Sequence, residues 1–241
     1  PPLVVLHREP LGGMVDTWPR RPVLCGPSEN PVTWYCSEES FPIILHDDDL
    51  PSRLLVYGSE GVGKTRVLAQ WLGLRAIEAT GGRTIHGVTS PTEKRAEEIR
   101  EAIAEMCPPH WWRWSARLRM YQLANGERAQ VVSTHQQSKK AGSRIQGFNW
   151  RDAASDEIQD SLEKDADIEM RGRKAPRGIY KRLCTATSKD SSDFREWRDK
   201  RLATSKWQRR TLLGRSSPFI WPAFWDEKAE TLDKREYRRR V

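Results

Sequence analysis

The segment Gly58-Ser59-Glu60-Gly61-Val62-Gly63-Lys64-Thr65 carries glycine, glycine, lysine and a hydroxyl at the fixed positions of G-x-x-x-x-G-K-[ST]. Glycine lets a tight turn curl so that successive backbone N–H groups converge on a phosphate, and a helix starting there adds its positive end. Lys64 is then the group for the β- and γ-phosphates of ATP, and the Thr65 hydroxyl the group for Mg²⁺. Hydrolysis at such a site needs a carboxylate in the Mg²⁺ shell and a second acid to take a proton from the attacking water. Asp156 and Glu157 supply that pair, 92 positions after Lys64. The stretch before them, Arg151-Asp152-Ala153-Ala154-Ser155, is poor in apolar residues for a buried strand. A third candidate is Thr185-Ala186-Thr187, where a short strand runs into hydroxyls able to sense a γ-phosphate and pass its state to a bound polymer.

The elements around these residues are those the chemistry needs. Arg53-Leu54-Leu55-Val56-Tyr57 is a short apolar run ending in Gly58, as in a buried parallel strand entering a turn. A helix is predicted from about residue 63 to 79, because Val67, Leu68, Trp71, Leu72, Ala76 and Ile77 share one face. A second strand is predicted over 84–89. Ser90-Pro91-Thr92-Glu93 has the form of a capping box with proline at the first helical position, followed by the stripe Ala96, Ile99, Ile103 and Met106. Further strands are predicted over 130–134 and 182–186. Strand, loop, helix, strand, helix begins a layered α/β domain. Residues 1–50 hold eight prolines and read as an irregular lead-in, in which Asp47-Asp48-Asp49 is a solvated turn.

Composition bounds the function. With 241 residues, 37% apolar and 31% charged, and a mean hydropathy of −0.75, the chain supports one large domain. No apolar run approaches the length of a membrane span and no signal-peptide pattern is present, which points to a cytoplasm and to no membrane partner. Cys25, Cys36, Cys107 and Cys184 form no C-x-x-C pair, so reduced thiols are expected. The 41 basic against 33 acidic residues leave +8, favouring a polyanionic partner. Eleven tryptophans, some among basic residues as in His110-Trp111-Trp112-Arg113-Trp114, suit packing better than base stacking.

The order of these motifs resembles the ATPase domain of the large terminase subunit, the motor that packages DNA into tailed-phage capsids. The resemblance covers most of residues 53–241: the P-loop, Ser90-Pro91-Thr92 with its helix, Arg144-Ile145-Gln146-Gly147, Asp156-Glu157, Thr185-Ala186-Thr187, and Ser217-Pro218-Phe219 with Arg235-Glu236-Tyr237-Arg238. It implies a P-loop NTPase fold of ASCE/RecA-like type, with a mostly parallel central sheet flanked by helices and a small C-terminal lid or linker. On that reading residues 1–50 are the lead-in, 51–205 the ATPase core and 206–241 the lid or linker, and the family's nuclease domain is absent. The roles implied are phosphate contact for Lys64 within the ATP-binding loop Gly58 to Thr65, Mg²⁺ binding for Thr65 and Asp156, water activation for Glu157, and coupling for Thr185, Ala186 and Thr187. Gln146 stands about where the family's arginine is often found, so Arg144, then Arg151, are candidates for a group supplied to a neighbouring subunit. Implied partners are double-stranded DNA, further copies in a homo-oligomeric ring, a portal protein and a small terminase subunit, in the cytoplasm of an infected host. A superfamily 2 helicase-like ATPase and a nucleotide-switched assembly protein without turnover are the alternatives.

Overall fold

The computed structural model describes residues 20–25, 32–37, 39–79, 84–106, 111–118, 120–135, 149–172, 175, 180–187 and 191–212. In chain order these form β1 (Arg20–Cys25), β2 (Val32–Ser37), α1 (Ser40–Leu45), β3 (Arg53–Gly58), α2 (Lys64–Glu78), β4 (Ile85–Ser90), α3 (Glu93–Met106), β5 (Trp112–Ser115), β6 (Met120–Leu123), β7 (Arg128–Ser133), β8 (Asp152–Ser155), α4 (Asp165–Arg171), β9 (Arg182–Ala186), α5 (Ser192–Leu202) and β10 (Trp207–Leu212). Among the described residues β1 and β2 pair only with each other, antiparallel. The other eight strands form one sheet in the order β10-β3-β9-β8-β4-β7-β6-β5, parallel from β10 to β7 and antiparallel from β7 to β5. This is the mostly parallel α/β sheet that the sequence predicts.

Side chains alternate across a strand, so the central strands feed two cores. Leu54 and Val56 of β3, Leu183 of β9 and Val88 of β4 face α1, α2 and α3, while Leu55, Tyr57, Cys184 and Ala186 face Phe194 of α5. A third group, including Ile85, Ala153 and Trp150, packs against Ile168 of α4. Trp71, Leu68, Leu72 and Leu74 of α2 are fully buried; each such side chain stabilises the fold by about 1.5–3 kcal/mol relative to exposure.

Three boundaries differ from the sequence reading. Helix α3 starts at Glu93, and the cap is Thr92, whose Oγ1 accepts from Arg95 N at 3.2 Å. Ser90 cannot serve, because it ends β4 and its carbonyl accepts from Thr134 N at 2.7 Å, while the Pro91 carbonyl accepts from His135 N. The sheet also continues past residue 205: Trp207–Leu212 is its edge strand, parallel to β3. Within the expected lead-in, α1 buries Ile43 and Ile44 in the core shared with α2. The three aspartates at 47–49 are exposed, as expected of a solvated turn, and Asp48 pairs with Lys181 at 3.0 Å. Trp111 and Trp112 are buried, whereas Trp114 is 40% exposed. Cys36 and Cys184 are buried.

β8 explains how a strand so poor in large apolar residues lies at the centre of a sheet. Asp152, Ala153, Ala154 and Ser155 are all fully buried. Asp152 Oδ2 lies 3.0 Å from His86 Nδ1, its Oδ1 accepts from Lys181 N at 3.0 Å, and Arg75 is 3.5 Å away. Ser155 Oγ lies 3.0 Å from the Thr89 hydroxyl. Each buried polar group therefore has a partner from a distant part of the chain, which removes the desolvation cost that would exclude it.

Candidate active site

The register places three sequence motifs at one edge. β9 lies between β3 and β8, with Tyr57 opposite Ala186 and Ser155 opposite Cys184. The loop after β3, the acids after β8 and the hydroxyls ending β9 thus meet at the carboxyl edge, where open parallel sheets bind ligands. In the loop, Gly61 and Gly63 have φ of 79° and 88°, values costly for residues with a Cβ. The turn they allow delivers Lys64 into the first turn of α2, where it is buried.

Lys64 Nζ donates to the Gly58 carbonyl at 2.9 Å and the Ser59 carbonyl at 2.8 Å, and lies 3.5 Å from Glu157 Oε1. Burial pulls its pKa down against the opposing pull of Glu157 and Asp156. Thr65 follows it, partly exposed in the first turn of α2.

Asp156 is 1% exposed, and its Oδ1 accepts from the Thr185 hydroxyl at 2.8 Å. Burial, with the Glu157 charge beside it, pushes the Asp156 pKa up to about 6 against the hydrogen bond from Thr185. Oδ2 is enclosed and has no hydrogen-bond partner. A buried carboxylate oxygen left this way fits a cation, whose charge would restore the ionised form. Among the described residues no three His, Cys, Asp or Glu cluster as a metal cage. Mg²⁺ does not need one, since it binds through one or two carboxylates plus substrate phosphates.

Glu157 has φ of 45°, in the left-handed region. Thr187 holds its carboxylate: the hydroxyl is 2.8 Å from Oε1 and 2.6 Å from Oε2, and Thr187 N donates to Oε2 at 3.1 Å. Gln159 Nε2 also donates to Oε2, and Glu157 N donates to the Thr185 hydroxyl at 3.1 Å. Burial would raise the Glu157 pKa, but Lys64 and these hydrogen bonds hold it below the usual carboxylate range. Thr185 and Thr187 therefore each contact the acid pair directly, and Ala186 between them faces the core under α5.

Among the residues that sequence singled out, Lys64, Asp156, Glu157, Thr185 and Thr187 come together here. Ser59, Glu60, Gly61 and Val62 line the loop, where Val62 is buried and Glu60 and Gly61 are exposed. Arg144, the 217–219 segment and the 235–238 segment lie outside the described residues; Arg151 precedes β8 and donates its N–H to Ile85 O at 2.8 Å. Two residues at the site carry no sequence signal. Gln159 contacts Glu157, and Arg95 on the first turn of α3 feels the charges of Asp156 and Glu157.

Similarity searches bear on the whole arrangement. No protein-family model and no curated protein sequence matches the chain. Among solved structures, the large terminase of a thermophilic bacteriophage superposes with a TM-score of 0.68 at 13% identity, covering 85% of this chain and 52% of that one. The chain has the fold of a phage terminase ATPase domain. The HK97 bacteriophage large terminase matches with a TM-score of 0.64 at 14% identity, over 90% of this chain and 51% of that one. The large terminase ATPase domain of Thermus phage P74-26 gives 0.55 at 13% identity, over 79% and 87%. This chain spans about half the length of the first two of these terminases. The thermophilic phage's terminase has also been solved in complex with ADP and with ATP-gamma-S, and both complexes match this fold.

Proposed function

We propose that the chain is the ATPase motor domain of a viral DNA-packaging terminase, coupling ATP hydrolysis to translocation of double-stranded DNA. The observation that carries this reading is the convergence of Lys64, Asp156, Glu157, Thr185 and Thr187 at one sheet edge, in a fold shared with terminase ATPase domains. The backbone N–H groups from Gly58 to Lys64 cradle the phosphates, and Lys64 moves from the Gly58 and Ser59 carbonyls onto the β- and γ-phosphate oxygens. That movement takes a positive charge from Glu157 Oε1, freeing a lone pair for water. Glu157 then accepts the water's proton. Thr65 and Asp156 would hold Mg²⁺, which would supply positive charge against the charge developing on the phosphates.

Thr185 touches both acids and Thr187 touches Glu157, so a change at the γ-phosphate reaches β9 through hydroxyls. In this reading Thr185, Ala186 and Thr187 couple hydrolysis to DNA movement, and the +8 charge serves the phosphate backbone. The protein acts in the host cytoplasm as a homo-oligomeric ring, with a portal protein and a small terminase subunit as partners. An arginine from a neighbouring subunit, Arg144 foremost, completes the site.

Steady-state ATP hydrolysis across a protein-concentration series, with and without long double-stranded DNA, tests the proposal. Turnover rising faster than linearly with protein and increasing with DNA is expected. Nucleotide binding without turnover under every condition would instead favour a nucleotide-switched assembly protein.

A further inference from the structure

Directly after Glu157 the chain makes a single 3-10 turn, Ile158–Asp160, whose fully buried Ile158 anchors it. Gln159 sits on that turn and donates Nε2 to Glu157 Oε2. An ionised carboxylate only accepts hydrogen bonds, so the contact fixes which end of the amide is which: nitrogen on Glu157, oxygen away from it. That oxygen, Oε1, is enclosed and has no hydrogen-bond partner. Buried amide oxygens are rarely left so, because each forfeits the hydrogen bond it had in water.

The Glu157 carboxylate does not depend on Gln159 for its position. It already receives Thr187 N, the Thr187 hydroxyl and the nearby charge of Lys64. What Gln159 adds is a second acceptor, one amide group away from the carboxylate. The attacking water in a hydrolysis has two O–H bonds. One must point at the base, and its oxygen lone pair must face phosphorus. The orientation is determined only when the other O–H also has an acceptor.

We propose that Gln159 is a water-positioning residue: its Oε1 accepts the second O–H of the water whose first O–H is given to Glu157. This rests on the hydrolase reading of the site. As the water oxygen bonds to the γ-phosphorus, the bond from that phosphorus to the β–γ bridging oxygen breaks, and ADP departs with its electron pair. One water proton moves to Glu157. The other stays on the oxygen, held toward Gln159, and leaves with inorganic phosphate. Gln159 neither gains nor loses a proton.

The test compares the wild-type chain with Gln159→Met, which keeps the length and removes the amide, in Mg²⁺ and nucleotide. ADP with beryllium fluoride mimics the nucleotide before attack, and ADP with aluminium fluoride mimics the transition state, in which the water is in place. Gln159→Met is expected to lower kcat roughly tenfold to a hundredfold and to weaken the aluminium fluoride complex correspondingly, with KM, beryllium fluoride affinity and Tm unchanged. An unchanged kcat, or a parallel loss of both complexes together with Tm, overturns the proposal. A wild-type chain that neither turns over ATP nor captures the aluminium fluoride complex overturns the hydrolase reading itself, and that result appears before any variant is made.

Discussion

At the amino end of the sheet Arg182 is fully buried, with Asp165 Oδ1 2.6 Å and Glu169 Oε2 2.8 Å from its guanidinium. Arg53 pairs with Glu169, Arg201 with Asp165, and the Trp197 N–H donates to Asp165 at 2.9 Å. Burial pushes the Asp165 and Glu169 carboxyls up, yet these partners hold both below the usual range. At the carboxyl end Asp156 is more deeply buried than either acid and its pKa moves the other way, because Thr185 and the Arg95 and Lys64 charges compensate only part of the desolvation. One end gives each acid two cations, Arg182 with Arg201 for Asp165 and Arg182 with Arg53 for Glu169; at the other, Asp156 has no cation within ion-pair distance among the described residues, and its Oδ2 has no partner. The contrast teaches where to look for function: not where charge is buried, but where it is buried and left incomplete.

Substitutions at the two ends should therefore fail in different ways. Glu157→Gln should cut kcat by at least about a hundredfold while nucleotide affinity and Tm hold, as measured by turnover, equilibrium binding and calorimetry. A loss of fold would place Glu157 with the closed end. Arg182→Met should do the reverse, costing roughly 3 kcal/mol in urea unfolding, because the buried cation bridging Asp165 and Glu169 is lost and each acid keeps only its partly exposed partner, Arg201 or Arg53. If stability is unchanged, the network is ornamental.

His46 gives the amino end a pH signature. It is fully buried, accepts from Trp71 Nε1 at 3.1 Å on Nδ1, and lies 2.8 Å from Pro51 O on Nε2, so the neutral ring carries its proton on Nε2. Burial lowers its pKa to about 4. Between about 6.5 and 4 the unfolded chain binds a proton that the folded chain refuses. Stability is complete above 6.5 and falls with pH, by up to about 3 kcal/mol. Urea titrations at pH 7 and 5 check this, and His46→Gln should flatten the difference. The smallest effect is expected within the site, at Thr185: Thr185→Val removes the hydrogen bond to Asp156 and the acceptor for Glu157 N, costing about 1–2 kcal/mol in urea unfolding, whereas Thr185→Ser should retain most of it.

The fold was readable wherever the signal was local. β3 is an apolar run, β4, β7 and β9 are short stretches with apolar residues among polar ones, and α2 is buried along nearly its whole length from Val67 to Ala76. β8 was nearly invisible, because Asp152 and Ser155 are satisfied by His86, Lys181 and Thr89, far away in sequence. β10 shows only Trp207 and Leu212 buried, as expected of an edge, and α5 only Phe194. The β5–β6 pair left no clear alternation either. At the site, Lys64 and Thr65 follow from a contiguous motif, and the acid pair from its place after the P-loop. Gln159 had no such cue, since its meaning depends on the turn that folds it back onto Glu157.

The left-handed backbone at Glu157 sets a trade between durability and work. A side chain with a Cβ pays on the order of 1 kcal/mol to sit there, a strain that glycine escapes and asparagine tolerates better. A selection that rewarded only heat resistance would favour glycine or asparagine at this position, and so would discard the carboxylate first. Survivors of such a screen would be sturdier and idle.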